Sequence, residues 1–383
     1  MKRFAVAFIV LLLAGFSFAQ DEIVNITSFE EEAATPFTGG QTSFSMIDQI
    51  NPDDNVAPLD GDWHLLMEYD TSIDNYGMAS VTFPEPVDIT GMREIHVWAY
   101  FLPDAQPHPD AGYSLRMSLD GDIDIALGDV QKYPVSGEWL EYVWEIDSLS
   151  SQNDLSAMTG FNMCFMPGAA SAIGVCYIDK IYATRPADFP DALEYVQVYS
   201  FDEEGDNFAP VGWQSAGGDV FTGFGDVEPS EGENYMEIML GEWWVQEART
   251  TDAKGASDLW AQATDIVMDV RVSEDFTGSW LLLNPVVQSG GEDADGNPLE
   301  PVNSWDTYGE RDIRWSFEVG TWFTIAWPFR ADLHRGALGD YGWFQIVLVT
   351  NQDAAEAGKS IYIDNFRLAA PSQTKVPDWS VFE

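Results

Sequence analysis

The feature that most constrains this chain is a strand-like motif that occurs twice. Residues 176–182 read Cys-Tyr-Ile-Asp-Lys-Ile-Tyr, and residues 361–367 read Ile-Tyr-Ile-Asp-Asn-Phe-Arg. Each copy has one acid, Asp179 or Asp364, in the middle of the motif, and a proline follows within a few residues. Proline ends regular structure because it lacks an N–H group. Both motifs are therefore predicted to be the last strand of a domain, and each central carboxylate needs a partner because an unpaired buried charge is costly.

The rest of the chain repeats around these two motifs. The matching pairs, in order, are Phe29-Glu30 with Phe201-Asp202, Asp88-Ile89 with Asp258-Leu259, Gly137-Glu-Trp139 with Gly320-Thr-Trp322, and the two closing motifs. Their order is preserved, and the changing offset between them requires one insertion in the second copy, near residues 288–305. We therefore predict two copies of one domain, at residues 20–187 and 192–371, with a linker at 188–191 and a tail at 372–383.

Within each copy the hydrophobic pattern has a period of two. Ile95, Val97 and Ala99 alternate with larger polar or aromatic residues, and similar alternation recurs around residues 114–119 and 266–272. This pattern is typical of half-buried antiparallel strands separated by turns. Long helical periodicity is absent from the sequence. Many short strands in domains of this size predict an all-β fold of two tandem antiparallel β-sandwich domains.

Together these motifs resemble the jelly-roll carbohydrate-binding modules of the galactose-binding-like superfamily. The resemblance rests on the Phe-Glu or Phe-Asp pair that opens each copy, the Asp-Ile or Asp-Leu step, the Gly-x-Trp strand and the closing Tyr-Ile-Asp strand. It covers essentially the whole chain after the first segment. It implies a jelly-roll fold, binding of polysaccharide and a structural calcium ion.

The implied calcium ion would be held by an acid just after the first strand and by the aspartate of the last strand. The matching residues are Glu30 and Asp179 in the first copy, and Asp202 and Asp364 in the second. Calcium binds several oxygen ligands, including carboxylates, so such a site would tie the two ends of a domain together. The alternative is that each aspartate accepts hydrogen bonds from backbone N–H groups of a loop.

The charge and the first residues of the chain indicate its compartment and exclude some partners. The formal net charge is −47 at pH 7, so nucleic acid and anionic membranes are disfavoured as partners. Met1-Lys2-Arg3, an uncharged apolar run and Ala19 form the pattern of a secretory signal peptide, residues 1–19. The apolar run is too short for a comfortable transmembrane helix. We expect a secreted protein, periplasmic or extracellular, with no transmembrane segment.

The two cysteines, Cys164 and Cys176, lie on consecutive strand-like runs. In an exported protein such a pair is a candidate disulfide. The alternative is two buried free thiols that pack as small apolar residues.

One predicted strand of the first copy carries candidate ligand-binding residues. If Ile95 and its alternate neighbours face the core, then His96, Trp98 and Tyr100 face away from it. The same rule places Arg116 outward on a neighbouring run. Large outward aromatics indicate binding, and the flat C–H faces of sugars can lie on such rings. The alternative is that a loop or the other domain covers this face.

The second copy differs at these positions, where it has Asp269 and Arg271. Its candidate ligand-binding residues are Trp280, Trp305 and Trp315. Trp243 and Trp244 are adjacent, so one of them must point outward. If both copies bind sugar, we therefore expect them to use different residues.

The sequence shows no strong catalytic motif. Glu145 and Asp147 could form the acid pair of a glycoside hydrolase or a polysaccharide lyase, which needs two carboxylates flanking one bond. The second copy has Pro328 and Arg330 at the matching positions. The leading hypothesis is therefore a secreted, non-catalytic polysaccharide-binding protein. The alternatives are a calcium-dependent structural or adhesive extracellular protein and, third, an enzyme that uses this acid pair.

Overall fold

The computed structural model describes residues 22–372, apart from short stretches of which the longest are 28–36, 71–76, 103–112 and 211–218. The predicted signal peptide and nearly all of the predicted tail lie outside the described residues. The fold is all-β, and its strands pair in four antiparallel sheets. No helix among the described residues is long and apolar enough to cross a membrane.

The first eleven strands form two sheets that share one core. These strands are β1 (Glu22–Thr27), β2 (Phe37–Thr38), β3 (Thr42–Asp48), β4 (Trp63–Asp70), β5 (Gly77–Val87), β6 (Glu94–Phe101), β7 (Tyr113–Asp120), β8 (Ile125–Gln131), β9 (Trp139–Glu145), β10 (Met158–Pro167) and β11 (Ile173–Arg185). Sheet 1 has the order β3-β4-β11-β6-β9 with β1 paired to β11, and sheet 2 has the order β2-β5-β10-β7-β8. Ile95, Trp144 and Ile178 of sheet 1 belong to the same buried cluster as Met117 and Phe161 of sheet 2.

The remaining strands repeat this arrangement. They are β12 (Leu193–Tyr199), β13 (Phe208–Pro210), β14 (Asp219–Gly223), β15 (Tyr235–Met239), β16 (Val245–Thr250), β17 (Asp265–Val272), β18 (Leu281–Gly291), β19 (Asp306–Thr307), β20 (Arg311–Asp312), β21 (Phe323–Pro328), β22 (Gly342–Gln352) and β23 (Ser360–Pro371). Sheet 3 has the order β14-β15-β23-β17-β21 with β12 paired to β23, and sheet 4 has the order β13-β16-β22-β18-β19 with β20 paired to β18. The short helix α1 (Ser257–Trp260) and two 3₁₀ helices, Ala331–Leu338 and Ala354–Glu356, complete this half.

The two closing strands, β11 and β23, occupy equivalent positions and share one irregularity. Each lies inside its sheet and also pairs with the first strand of its half. The register of β11 shifts between Asp179 and Ile181, and Lys180 has a φ of 27°. Asn365 follows Asp364 with a φ of 48°. Each conserved aspartate therefore sits at a β-bulge, which is a feature that re-aims side chains in a strand.

The cysteines do not form the disulfide that the sequence left open. Cys164 lies on β10 and Cys176 on β11, which belong to different sheets. Cys176 is a free and fully buried thiol, and burial raises its pKa. The disulfide alternative is therefore wrong, and Cys176 packs as a small apolar residue.

Two buried ion pairs connect the two halves, and the sequence did not predict them. Arg93 Nη2 lies 3.2 Å from Asp265 Oδ1, and Arg311 Nη2 lies 3.3 Å from Asp147 Oδ2. All four side chains are buried. The guanidinium of Arg93 also lies 4.2 Å from the ring centroid of Phe189, in the linker. Removing one partner of a buried pair leaves an uncompensated charge, so both residues of each pair are needed where the two halves pack together.

Candidate functional site

The predicted outward residues of β6 do face away from the core. Ile95, Val97, Ala99 and Phe101 are buried, whereas the residues between them are half-buried. The side chain of His96 is only 12% exposed. It stacks on Tyr182 at 4.6 Å and lies 3.1 Å from carboxylate oxygens of both Glu94 and Glu141. The hydrogen bond with His96 lowers the pKa of Glu94. This part of the face is therefore an internally bonded network, and little of the His96 ring is left for a ligand.

A loop covers the end of this face that holds Tyr100. The Tyr100 ring contacts Trp139 at 5.7 Å and Tyr177 at 6.4 Å between ring centroids. Trp139 Nε1 donates to the carbonyl of Ala57 at 3.1 Å, and Tyr177 and His64 beneath it are fully buried. The alternative that a loop covers the face therefore holds here. The covering residues belong to 55–60. The segment 103–110, which the sequence also offers as a covering loop, lies outside the described residues.

The second half has the same arrangement on sheet 3. Trp322 Nε1 donates to the carbonyl of Glu228 at 2.8 Å, as Trp139 does to Ala57. Tyr235 lies against Tyr362 at 5.3 Å, as His64 lies against Tyr177. A contact set that both halves keep belongs to the fold, so these aromatics are explained by anchoring a loop.

Arg116 does not join the other predicted residues of the first half. It lies on β7, where it pairs with Cys164 and Asp129 in sheet 2. His96, Trp98 and Tyr100 lie on β6 in sheet 1, on the other side of the shared core. The prediction of one four-residue site is therefore wrong. Alternation along a strand sets the face of a residue, but it does not say which sheet the strand joins.

The carboxylate of Asp179 binds the covering loop through backbone groups. Its Oδ2 accepts hydrogen bonds from the N–H groups of Leu59 (2.8 Å) and Asp60 (3.2 Å). Its Oδ1 accepts from Lys180 N–H at 2.7 Å. These donors satisfy a carboxylate that is fully buried.

Asp364 makes the equivalent contacts in the second half. Its Oδ2 accepts from Ser230 N–H (2.9 Å), Ser230 Oγ–H (3.0 Å) and Glu231 N–H (3.0 Å), and its Oδ1 accepts from Asn365 N–H (2.7 Å). Burial raises the pKa of Asp364, and these donors oppose the increase. The two closing aspartates therefore anchor equivalent loops.

In the second half, where both predicted ligands are described, the residues do not fit the calcium ion. Asp202 Oδ1 accepts from the N–H groups of Glu233 (2.8 Å) and Asn234 (2.7 Å), so this acid too faces donors. Calcium requires oxygen ligands, and N–H groups that converge on a carboxylate occupy the positions a cation would need. In the part of the chain that the structure describes, no group of three or more acid, histidine or cysteine side chains could hold a metal. Glu30 lies outside the described residues. The alternative of backbone hydrogen bonds is what the structure shows.

The acid pair considered for catalysis is divided between two environments. Asp147 is 5% exposed, and Arg311 binds its carboxylate. Glu145 lines a cleft of about 550 Å³ between the halves, together with Arg93 and Arg330. Burial raises the pKa of Glu145, and Arg330 opposes the increase. An acid taken up by a buried ion pair cannot flank a substrate bond, so Glu145 and Asp147 do not form the predicted pair.

The structure describes two of the three candidate tryptophans of the second half, and these two differ in exposure. Trp315 lies outside the described residues. Trp280 directly precedes β18 and is half-buried. Trp305 directly precedes β19 and is 43% exposed. Among these predicted residues, Trp305 is the one whose ring the structure leaves open to solvent.

Sheet 4 places a second exposed tryptophan on the same face as Trp305. On β22, Phe344 and Ile346 point into the core, so Trp343 points to the opposite side, which we call the outer face of sheet 4. Trp343 is 43% exposed. It pairs with Gly290 on β18, and a Cβ at Gly290 would lie 2.7 Å from the indole ring. The ring therefore lies directly on the backbone of β18, where only glycine leaves room for it.

The register of β19 places Trp305 near Trp343. Asp306 pairs with Val287, so Trp305 is next to Gln288, and Gln288 pairs with Gln345 on β22. Asp306 points inward, since its Oδ2 lies 3.4 Å from Nε2 of the buried His334. Neighbouring residues on a strand alternate, so Trp305 points outward. Two strand spacings and two residue steps put the Cα atoms of Trp305 and Trp343 roughly 12 Å apart.

A buried network fixes the segment that carries Trp305. His334 Nδ1 lies 2.7 Å from Ser289 Oγ, and His334 Nε2 lies 2.8 Å from the hydroxyl of Tyr308. Ser289 Oγ also bonds to the backbone of Asn303. Ser289, His334 and Asp306 are the residue types of a Ser-His-Asp catalytic triad, with the histidine between the other two. Ser289 and His334 are buried at 1% and 0% exposure, so the network is structural and holds residues 303–308 against β18.

Polar side chains share the outer face of sheet 4 with the two tryptophans. Gln288 and Gln345 are half-buried cross-strand neighbours. Arg249, on β16, is paired with Val347 in register and lies 3.8 Å from Glu247. Burial raises the pKa of Glu247, and Arg249 opposes the increase. The face thus combines flat apolar rings with hydrogen-bonding groups.

No family model and no curated protein matches this chain. The N-terminal CBM22-1–CBM22-2 tandem domain of Paenibacillus barcinonensis Xyn10C is 10% identical, with 92% of this chain and 99% of that chain covered at a TM-score of 0.31. The tandem CBM51 modules of Sp3GH98 from Streptococcus pneumoniae are 9% identical, with 92% and 100% covered at 0.25. CBM27-1 of Caldicellulosiruptor saccharolyticus, solved with mannohexaose, is 12% identical, with 42% and 96% covered at 0.32. All three of these structures are of carbohydrate-binding modules.

Proposed function

We propose that this protein is a secreted, non-catalytic carbohydrate-binding protein, built of two jelly-roll domains, that binds through the outer face of sheet 4. Trp305 and Trp343 are the stacking platforms. Gln288, Gln345 and Arg249 supply hydrogen bonds to sugar hydroxyls. This site replaces the β6 face of the first half, whose His96 end is bonded internally and whose Tyr100 end is covered by a loop.

The observation that carries the proposal is the pair of exposed tryptophans on one rigid sheet face. Large exposed aromatics on a soluble protein mark binding sites, because each costs free energy in water when no ligand covers it. Trp343 rests on Gly290, and the His334 network fixes the segment that carries Trp305. Both rings are thus held ready before a ligand arrives, which lowers the entropy cost of binding.

The charge of the chain narrows the class of carbohydrate. With a net charge of −47, the protein repels polymers that carry carboxylate or sulfate groups. A neutral polysaccharide meets no such barrier. Its flat C–H faces match the indole rings, and its hydroxyls match the amide and guanidinium groups nearby.

Replacing Trp343 by alanine tests the site. Truncation of a hot-spot tryptophan costs about 2 kcal/mol or more, so we expect the affinity for a neutral polysaccharide to fall by about thirtyfold or more. Affinity electrophoresis against soluble glucomannan, xylan and mixed-linkage β-glucan first identifies a polymer that binds, and calorimetry then measures both proteins. Trp98→Ala is the control, since it removes a half-buried tryptophan from the β6 face, away from sheet 4, and should leave the affinity unchanged. Loss of binding in Trp98→Ala but not in Trp343→Ala would return the site to the first half.

A further inference from the structure

A second exposed aromatic pair lies away from Trp305 and Trp343. Trp243 and Trp244 occupy the turn between β15 and β16, and they are 46% and 58% exposed. The sequence required only one of them to point outward. Because both do, this turn presents two indole rings that the core of the second half does not use.

The turn is held from beneath by one fully buried glutamine. The backbone N–H of Gln352 donates to Trp244 O at 2.9 Å, and its side-chain Nε2 donates to Trp243 O at 2.7 Å. Thr350 Oγ donates to Gln352 Oε1 at 3.2 Å, which fixes the orientation of the amide. Gln352 and Thr350 are both 0% exposed. The backbone under both rings is therefore fixed, and the rings are presented at low entropy cost.

Strand β22 runs from the Trp305–Trp343 pair, which we call the first platform, to this turn. It begins beside Trp343 and ends at Gln352, which binds the turn. The nine residue steps between them span roughly 30 Å at the usual rise of a strand. The two aromatic pairs therefore stand at opposite ends of one strand, on a rigid sheet.

The charge of the protein decides which kind of partner suits the turn. A pair of exposed tryptophans can enter a membrane interface, but a chain with a net charge of −47 is repelled by anionic lipid surfaces. Glu242, directly before the pair, is exposed and adds a further negative charge. A neutral surface with apolar patches, such as the C–H faces of a neutral polysaccharide, has no such cost.

We propose that Trp243 and Trp244 form a second binding platform for neutral polysaccharide. A long polymer engages this platform and the Trp305–Trp343 platform at once, whereas a short oligosaccharide occupies them separately. This simultaneous engagement rests on the proposed function, but the second platform itself does not. Linked binding of two sites by one polymer raises the apparent affinity without any new contact.

The test compares three proteins on two probes. The proteins are wild type, the double variant Trp243→Ala/Trp244→Ala, and the double variant Trp305→Ala/Trp343→Ala. The probes are the soluble neutral polysaccharide that binds best among glucomannan, xylan and mixed-linkage β-glucan, and a tetrasaccharide of the same polymer. Calorimetry gives the affinity and the number of tetrasaccharides bound for each protein.

For wild type we expect two bound tetrasaccharides, and for each double variant one. On the polymer, each double variant should lose at least tenfold in affinity. The variant Trp243→Tyr/Trp244→Tyr keeps two flat rings at the turn and should retain most of the polymer affinity. These side chains lie on the surface, so we expect every variant to keep the melting temperature of wild type. An unchanged melting temperature shows that a loss of binding does not come from unfolding.

The outcomes separate this inference from the proposed function. If Trp243→Ala/Trp244→Ala binds both probes like wild type, the second platform is refuted and the first one stands. If only this variant loses binding, the first platform is refuted and the second one stands. If wild type binds none of the polymers, both proposals are refuted.

Discussion

Replacing Arg93 by methionine removes the cation from the ion pair that joins the two halves. Arg93 Nη2 lies 3.2 and 3.3 Å from the two carboxylate oxygens of Asp265, which is fully buried. Methionine keeps much of the apolar stem of the side chain but leaves the carboxylate without its counter-charge. Removing one partner of a buried pair costs about 3–5 kcal/mol. Thr264 still donates to Asp265 Oδ2 at 2.6 Å, so we expect the lower end, about 3 kcal/mol, by the same principle.

Urea unfolding followed by tryptophan fluorescence measures this loss. The matched control is Arg330→Met, because Arg330 pairs with Asp332 at 3.2 Å with both side chains about half exposed. Surface pairs contribute about 0–1 kcal/mol, so the control should be nearly neutral. The double variant Arg93→Met/Asp265→Asn removes both charges and should recover much of the lost stability.

Two results would refute the reasoning. If Arg93→Met costs no more than Arg330→Met, the buried pair does not join the halves. If the double variant loses as much stability as Arg93→Met and Asp265→Asn added together, the two side chains do not stabilise each other.

Three further predictions concern the anchored loops and the acids that hold them. Burial lowers the pKa of His64 to about 4 from 6.5, so the unfolded state binds more protons between these values and stability should fall by about 3 kcal/mol as the pH drops from 6.5 to 4. His64→Phe should flatten that part of the pH profile in thermal unfolding, and an unchanged slope would contradict it. Asp364→Ala leaves the N–H groups of Ser230 and Glu231 without their acceptor and should cost about 1–3 kcal/mol. Calcium or a chelator should not move the melting temperature of wild type, and a calcium-dependent increase of several degrees would restore the metal site.

The sequence predicted the closing strands of the two halves because their motif occurs twice. Asp179 and Asp364 marked the closing strands, and the structure gives both of them the same bulge and the same loop contacts. The alternation around Ile95 correctly predicted which side of β6 faces the core. These features depend on local periodicity and on comparison between the two copies, and both can be read from one sequence.

The sequence could not predict which segments of the chain cover the outward face of a strand. His96, Trp98 and Tyr100 point outward as expected, but the loop that covers the Tyr100 end comes from residues more than thirty positions earlier. Arg116 was misplaced because its strand joins the other sheet. Such contacts depend on tertiary packing and leave no periodic signal.

Trp343 was missed although its signal was present. Phe344, Ile346 and Leu348 alternate with Trp343, Gln345 and Val347, so the same reading that was applied to β6 would have placed Trp343 outward. The glycine opposite it, Gly290, is the residue that lets the ring lie on the sheet. The ion pairs between Arg93 and Asp265 and between Arg311 and Asp147 had no comparable signal, because their partners are far apart in the chain.

The most direct test of carbohydrate binding by sheet 4 is an NMR titration of the indole N–H signals with a neutral polysaccharide that the protein retains in affinity electrophoresis. Single Trp→Phe variants assign the signals of Trp343, Trp305 and Trp98. We predict that the signals of Trp305 and Trp343 shift with increasing polysaccharide and that the signal of Trp98, on the bonded β6 face, does not. Shifts confined to Trp98, with Trp305 and Trp343 unchanged at saturation, would contradict the proposed site.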